Sequence, residues 1–576
     1  MADSPLEMKR DLQTLASTEF DLVVVGGGIF GACAAWDAVL RGLSVALVER
    51  NDFGSGASAN SFKFVHGGIR YLQHADLRRL RQSSRERRAF LKIAPHLVHP
   101  LPIVIPTYGH LQQGRAFLAA GMLLYDVLTL DRNLGFTDRD RKIPLSRFLS
   151  RSHVLSLFPN LPSENLTGGA AFCDGQMYNP TRLVLAFVQS AVNGGAVVSN
   201  YVEASGFIEN NCTVSGIAAT DRISGDTFDI RAKVTLNAAG PWAEGMLRSK
   251  NRAETISRGI FSRDACFVVP RKFDHSFALA VAGQTKDPDA IVGREGRHLF
   301  AVPWRDHTLI GVWHVVYDEN PDEVTVDDGD LQSFIDEMNW AYPALKLQLN
   351  EVTCWNAGLV PFGENQPGSR DLSYGKESRI IDHSKESGID GLVTLIGIRY
   401  TMGRSDAAKA IDMVAGKLGR KLGRSITQSV PVCGGEIECV GELIKAVKAD
   451  RTPGLADNAA EALVRNYGTA YGQILRLAEE RPELLESFRG STVLKAEVIN
   501  AIRHEMALTL PDVVFRRTDL ATGQNPGADV LRQCAHIIAA EAGWDEPRIH
   551  GEIESVMSRF RRGVPIATAS DLANNT

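Results

Sequence analysis

A short run of purely apolar residues, Leu22-Val23-Val24-Val25, breaks off into Gly26-Gly27-Gly28, and the stretch from Ile29 to Leu40 is again mostly apolar and small. That order predicts a buried strand, a tight turn and a helix. Val45-Ala46-Leu47-Val48 predicts a second buried strand, which completes a βαβ unit. From Gly195 to Val234 the pattern changes to short alternating segments, such as Ala196-Val197-Val198 and Val214-Ser215-Gly216-Ile217, which predict a meander. Between Ile260 and Trp355, Cys266-Phe267-Val268-Val269, Leu299-Phe300-Ala301-Val302 and Thr308-Leu309-Ile310-Gly311-Val312 predict a second, antiparallel sheet. Leu392 to Ile396 reads as a strand, followed by a glycine-containing turn and a helix from about Ser405. Beyond Leu443 the chain is rich in Ala, Leu, Glu and Arg at helical spacing, as in Ala459-Ala460-Glu461-Ala462-Leu463-Val464. The fold class expected is α/β: a Rossmann-like dinucleotide-binding domain, an antiparallel-sheet domain and a C-terminal helical domain.

The length of 576 residues supports this division, because single cores seldom grow past about 250 to 300 residues. A hydrophobic fraction of 44%, a charged fraction of 23% and a formal charge of −5 describe an ordinary globular protein. No global positive field is present to attract nucleic acid, so nucleic acid is not an expected partner. The eight cysteines are scattered, without Cys-x-x-Cys pairs or His/Cys spacing suited to zinc. No metal and a cytoplasmic location are therefore expected. Residues Met1 to Phe20 lack the apolar core of a signal peptide. The apolar tract from Phe117 to Leu130 contains Asp126 and is shorter than the roughly twenty residues that span a bilayer. It reads as a buried helix or as an interfacial one that touches a membrane surface. The basic stretch from Asp76 to Lys92 reads as a helix with a solvated face.

The chemistry is carried first by Gly26-x-Gly28-x-x-Gly31 at a strand-to-helix junction. The first glycine permits the tight turn, the second admits a pyrophosphate close to the backbone, and the third lets helix pack on strand. The unpaired N–H groups of the helix then face the anion. Glu49, at the end of the second strand, is placed to accept hydrogen bonds from an adenosine ribose, which favours FAD or NAD over NADP. The loop Asn51 to Asn60, rich in Gly, Ser and Asn, leads away from the strand ends where ligands of such sheets collect. Asn237-Ala238-Ala239-Gly240-Pro241-Trp242 ends another apolar strand in small residues that let backbone lie against a ligand. The junction after Ile396 is a second place where Arg399 and backbone N–H groups meet the cofactor.

These features, with Lys63-x-x-His66-Gly67-Gly68-x-Arg70-Tyr71, Pro303-Trp304 before Ile310-Gly311, and Arg516-Arg517-Thr518, resemble the FAD-dependent glycerol-3-phosphate dehydrogenases of the D-amino-acid-oxidase-like superfamily. The resemblance covers nearly the whole chain. It implies an FAD-dependent oxidoreductase region over residues 19–418, a linker over 419–437 and a helical domain over 438–576. It also implies hydride transfer from sn-glycerol 3-phosphate to flavin, giving dihydroxyacetone phosphate, with electrons passed to a quinone or other acceptor. Peripheral contact with the cytoplasmic face of a membrane is a family expectation. Cofactor-binding residues carried over are Gly26, Gly28, Gly31, Glu49, Ser58, Ser61, Lys63, His66, Gly240, Gly397 and Arg399. Arg70, Tyr71, Arg379 and Arg399 are expected to hold a phosphorylated polyol, and Arg70, Tyr71, Arg399 and His314 to serve catalysis.

Several positions depart from the family pattern. Gly311-Val312-Trp313-His314 replaces Gly-Thr-Thr-Asp, Leu359-Val360-Pro361 replaces Val-Arg-Pro, and Cys266 replaces a site histidine. Loss of the arginine at Val360 removes a bidentate, charge-assisted contact from the phosphate site. His314 reads either as a base for the substrate hydroxyl or as a histidine bonded in a strand-end turn. His66 reads as a cofactor-positioning residue or a proton carrier, and Cys266 as packing. Three readings follow: the dehydrogenase just described, a flavin oxidoreductase acting on another polyol phosphate, hydroxy acid or amine, and a catalytically silent flavin-binding module.

Overall fold

The computed structural model describes residues 7–109, 115–248, 261–286, 296–361, 377–450 and 452–565. Strand Glu19–Val25 is buried at every position after the first, as a strand covered on both faces must be. It pairs in parallel with Val45–Val48 on one side and Thr227–Asn237 on the other. The sheet runs in the order Arg379–Asp382, Leu392–Ile396, Thr227–Asn237, Glu19–Val25, Val45–Val48, Val197–Ser199, with the Arg379–Asp382 edge antiparallel. The expected meander is Val202–Asn210 and Thr213–Asp221 leading into Thr227–Asn237.

Helix Ile29–Leu40 follows the first strand and packs between helices Pro180–Asn193 and Gly403–Lys417. Its small residues Ala32, Ala34, Ala35 and Ala38 are fully buried, which allows the helices to approach closely. Trp36 meets Phe187 edge-on at 5.4 Å between ring centroids, and Phe90 meets the same ring at 6.0 Å.

The second sheet has the order Cys354–Pro361, Phe261–Val269, His307–Tyr317, Gly296–Trp304, Ala278–Lys286, Val98–Tyr108, Leu166–Met177, Phe64–Val65, with Arg147–Ser150 beside Leu166–Met177. Antiparallel pairing dominates, as the alternating pattern predicts. One pair departs: Ala278–Lys286 runs parallel to Val98–Tyr108. Parallel neighbours require a long crossover, and here seven strands among the described residues, from Arg147–Ser150 to Phe261–Val269, lie between the partners in sequence. One face of this sheet packs on helix Asp328–Ala341, where Phe267 meets Phe334 at 5.7 Å. The other face carries Phe64, Phe172, Val302 and Trp304 and turns toward the first sheet.

The basic stretch differs from its expectation. Helix Leu77–Ile93, capped by Asp76, buries Arg79, Ser83, Glu86 and Arg87. Arg87 donates to the Cys173 carbonyl at 2.5 Å and to Asp174 at 3.1 Å, and Arg404 pairs with Glu86. These arginines read as solvated because their carboxylate partners lie far away in sequence.

Beyond residue 439, helices Val440–Ala449, Asp457–Tyr467, Tyr471–Glu480, Lys495–His504, Ala528–Ala542 and Glu546–Ser558 form the C-terminal unit. It docks through polar groups. Arg182 donates to Glu505 at 2.6 and 2.7 Å, and Arg305 pairs with Asp519 at 2.6 Å. Asn179 donates to Asp519 at 2.8 Å, and Tyr201 donates to Asp512 at 2.7 Å; within the unit, Asn466 also donates to Asp519 at 2.8 Å.

Candidate active site

The two sheets enclose a cleft of about 1940 Å³. At its dinucleotide end, Gly26 has φ +105° and sits so close to the next strand that a Cβ would come within 2.7 Å of the Ala238 carbonyl oxygen. A Cβ on Gly31 would overlap the Gly26 carbonyl oxygen outright. The turn therefore exists only because both positions lack a side chain. Gly28 caps helix Ile29–Leu40, and Gly28, Ile29 and Phe30 line the cleft. Ser58 Oγ accepts from the Ile29 N–H at 3.0 Å, so the loop supplies one cap to the helix.

Glu49 is held by two backbone donors, Gly27 N–H at 2.7 Å and Asn51 N–H at 3.0 Å, one on each oxygen. Burial raises its carboxyl pKa against the pull of those donors. Each oxygen keeps a further lone pair for a ribose hydroxyl. Ser61 lines the cleft with its Oγ buried and unbonded, a group that a bound molecule would satisfy. The glycine cradle, the acid and this orphan hydroxyl fit FAD. Gly240, with φ +57°, and Gly397 line the cleft just beyond the ends of the neighbouring strands Thr227–Asn237 and Leu392–Ile396 of the same sheet.

Arg70, Tyr71, Arg399, His66 and His314 all line the same cleft. Arg399 donates to the Tyr71 hydroxyl at 2.7 Å and to Ser83 Oγ at 3.2 Å. The Tyr71 ring lies near both the Arg399 and Arg79 guanidiniums, at 5.1 and 4.8 Å. This contact orients the phenol and adds cation–π attraction. The backbone N–H of His66 donates to Thr401 Oγ1 at 3.0 Å, and its ring Nδ1 lies 3.4 Å from Oδ2 of buried Asp174.

The most informative arrangement is one the sequence did not disclose. Asp264 and His314 are directly paired across neighbouring strands, and His314 Nδ1 lies 2.7 Å from Asp264 Oδ1. Both line the cleft. The only sequence signal is an acid within the polar triplet Ser262-Arg263-Asp264 that precedes the apolar run from Ala265 to Val269. His298 also lines the cleft; burial, reinforced by the Arg70 charge, lowers its pKa to about 4 and keeps it neutral near pH 7.

Three expected ligand-binding residues fall outside the wall: Gly31, which packs helix on strand, Arg379 and Lys63. Arg379 is exposed on the edge strand opposite Ile396 and is absent from the cleft lining. Its side chain is exposed to solvent on that edge strand. Lys63 is buried behind the wall, with Nζ 4.7 Å from the Trp304 ring and 3.4 Å from the Ser61 carbonyl. Burial lowers its pKa; it supports Ser61 from behind. Cys266 and Val360 do line the cleft, and burial raises the Cys266 thiol pKa, consistent with packing.

The FAD dependent oxidoreductase family profile matches residues 21–400, and the profile of the C-terminal domain of alpha-glycerophosphate oxidase matches residues 425–549. A glycerol-3-phosphate dehydrogenase of Synechocystis sp. is 32% identical over 556 residues, spanning 95% of this chain and 97% of that protein. The mitochondrial glycerol-3-phosphate dehydrogenase of Homo sapiens is 29% identical over 96% of this chain and 74% of its own. The crystal structure of the glycerol-3-phosphate dehydrogenase from Bacillus halodurans complexed with FAD superimposes with a TM-score of 0.72 at 25% identity, over 96% of each chain.

The cradle geometry makes a direct prediction. Gly31→Ala forces helix Ile29–Leu40 off the strand, so FAD affinity should fall at least about tenfold, equivalent to about 1.4 kcal/mol. Titration of the apoprotein with FAD checks this; wild-type affinity would refute the packing argument.

Proposed function

The chain belongs to the FAD-dependent glycerol-3-phosphate dehydrogenase family, and from that premise we propose that it oxidises sn-glycerol 3-phosphate to dihydroxyacetone phosphate and delivers the electrons to a membrane quinone. The observation that carries this reading is one cleft lined by the dinucleotide cradle, the cations Arg70 and Arg399, and the Asp264–His314 pair. When bound, FAD supplies the two-electron acceptor for the hydride on the carbinol carbon. Arg70 and Arg399 anchor the phosphate through charge-assisted hydrogen bonds. Tyr71, fixed by Arg399, orients the substrate. His314 takes the hydroxyl proton, and Asp264 holds its ring and stabilises the charge that appears there.

A second reading has its own support. Val360 and Cys266 add uncharged surface where the family carries an arginine and a histidine, which favours a related polyol phosphate, hydroxy acid or amine. Anaerobic reduction of the yellow holoenzyme separates the two. Bleaching by glycerol 3-phosphate supports the first, and bleaching only by other alcohols or amines in a panel replaces it with the second.

The membrane expectation draws support from helix Arg115–Leu128. Its inner side contributes Leu118 and Met122 to the cleft. Leu123, Val127, Leu130 and Leu134 stand 67%, 54%, 73% and 71% exposed in the same region. Exposed Arg139 and Lys142 follow in the chain. Such a patch beside basic residues suits an anionic bilayer surface. No helix among the described residues is long and apolar enough to cross a membrane.

Three outcomes are expected. Arg70→Ala should raise KM about tenfold or more while flavin content stays intact; flavin loss instead would reassign Arg70 to the cofactor. Asp264→Asn should slow flavin reduction about 10²-fold with little change in substrate affinity, measured by anaerobic stopped flow; a pure affinity effect would remove His314 from proton transfer. Leu123→Asp with Val127→Asp should abolish co-sedimentation with anionic vesicles and leave turnover with a soluble dye unchanged. Undiminished vesicle binding would rule out this helix as the contact.

A further inference from the structure

Arg516 and Arg517 contribute nothing to the cleft wall, yet both converge on one buried carboxylate. Arg516 Nε donates to Asp52 Oδ2 at 2.6 Å, while Arg517 donates to Oδ2 at 2.6 Å and to Oδ1 at 2.7 Å. Asn200 Nδ2 adds a fourth donor at 3.0 Å. Consecutive residues of an α-helix point about 100° apart. Residues Asp512–Arg517 instead form a π-helical turn, closed by the Thr518 N–H on the Val513 carbonyl at 2.9 Å. The wider turn lets two successive guanidiniums reach a single acid, and such turns recur at functional sites. Arg516 is further braced by Asp512 at 2.5 Å.

Asp52 sits in the loop that closes the dinucleotide end of the cleft. The same loop touches the glycine turn three times: Glu49 accepts from Gly27 N–H, Gly54 N–H donates to the Gly27 carbonyl at 3.0 Å, and Ser58 caps Ile29. Asn51, Gly54 and Ser58 line the cleft on either side of Asp52. A carboxylate with no exposed surface would ordinarily resist ionisation. Here burial pushes upward, but Arg517 and Arg516 bring the pKa of Asp52 down to about 2, so the acid is ionised and gripped.

We infer that the C-terminal helical domain is a cofactor-retention element, in which Arg516 and Arg517 hold Asp52 and thereby keep loop 49–58 closed over the dinucleotide. Asp52, Arg516 and Arg517 are positioning residues, acting on FAD through Glu49, Gly54 and Ser58. The inference is independent of which alcohol the enzyme oxidises, since it concerns binding of FAD alone.

The test uses the full-length apoprotein and FAD. Asp52→Asn keeps the shape and removes the charge. Its FAD dissociation constant should rise more than about tenfold, while Arg305→Gln, which breaks the docking contact with Asp519, should lower the thermal midpoint and leave FAD affinity within about twofold. Equal weakening by both variants, or unchanged affinity in Asp52→Asn, overturns the inference. If Asp52→Asn does not fold, amide exchange in the wild type decides. Coupling is reciprocal, so FAD added to apoprotein must slow exchange at Arg516, Arg517 and Thr518 as well as in loop 49–58. Protection confined to the loop would overturn the inference equally.

Discussion

The dinucleotide end of the cleft depends on one steric contact, the closure of Gly31 onto the Gly26 carbonyl. It seats helix Ile29–Leu40 so near the first strand that its unpaired N–H groups open into the cleft. A helix N-terminus in that position attracts a diphosphate through its dipole and its free donors. Glu49 and Ser58 then lock the following loop to the same turn by hydrogen bonds to Gly27 and Ile29. The second sheet supplies the opposite wall, and its strand pairing brings Asp264 against His314.

Charge is used differently at the joints and in the cleft. At the joints, guanidiniums and carboxylates are buried together: Arg517 with Asp52, Arg182 with Glu505, Arg404 with Glu86. Burying such pairs costs desolvation, which good geometry and added hydrogen bonds offset, and removing one partner alone is strongly destabilising. The first two specify how the helical unit sits on the rest of the chain, and the third ties helix Leu77–Ile93 to helix Gly403–Lys417. In the cleft, Arg70 and Arg399 are left partly open to solvent, so they are available to an anionic ligand. The positive wall also acts on its neighbours, and Arg70 helps keep buried His298 neutral.

Substitution at Val360 and Cys266 changes the balance of that wall without disturbing its frame. Both side chains stand on paired strands, Cys266 opposite Asn356 and Val360 opposite Ser262, with a bulge between Ala265 and Cys266 on the side of His307–Tyr317. A strand backbone tolerates such exchange because its hydrogen bonds do not depend on side-chain identity. Fold and cofactor cradle are thereby insulated from changes in substrate recognition.

The βαβ cradle, the meander, the antiparallel sheet and the C-terminal helices were legible in the sequence because each is set by local periodicity and by glycines that only a tight turn requires. Gly26, Gly28, Gly31 and Glu49 declared a dinucleotide for the same reason: their spacing is contained in one contiguous unit. Tertiary structure alone decided which distant groups meet. It paired Asp264 with His314 through strand register, turned Arg379 to solvent and set Lys63 behind the wall. It buried Arg87, which the sequence reading placed on a solvated helix face, and it buried Arg517. A charged residue's environment depends on partners hundreds of positions away, as with Arg517 and Asp52, and no local pattern encodes a partner at that separation.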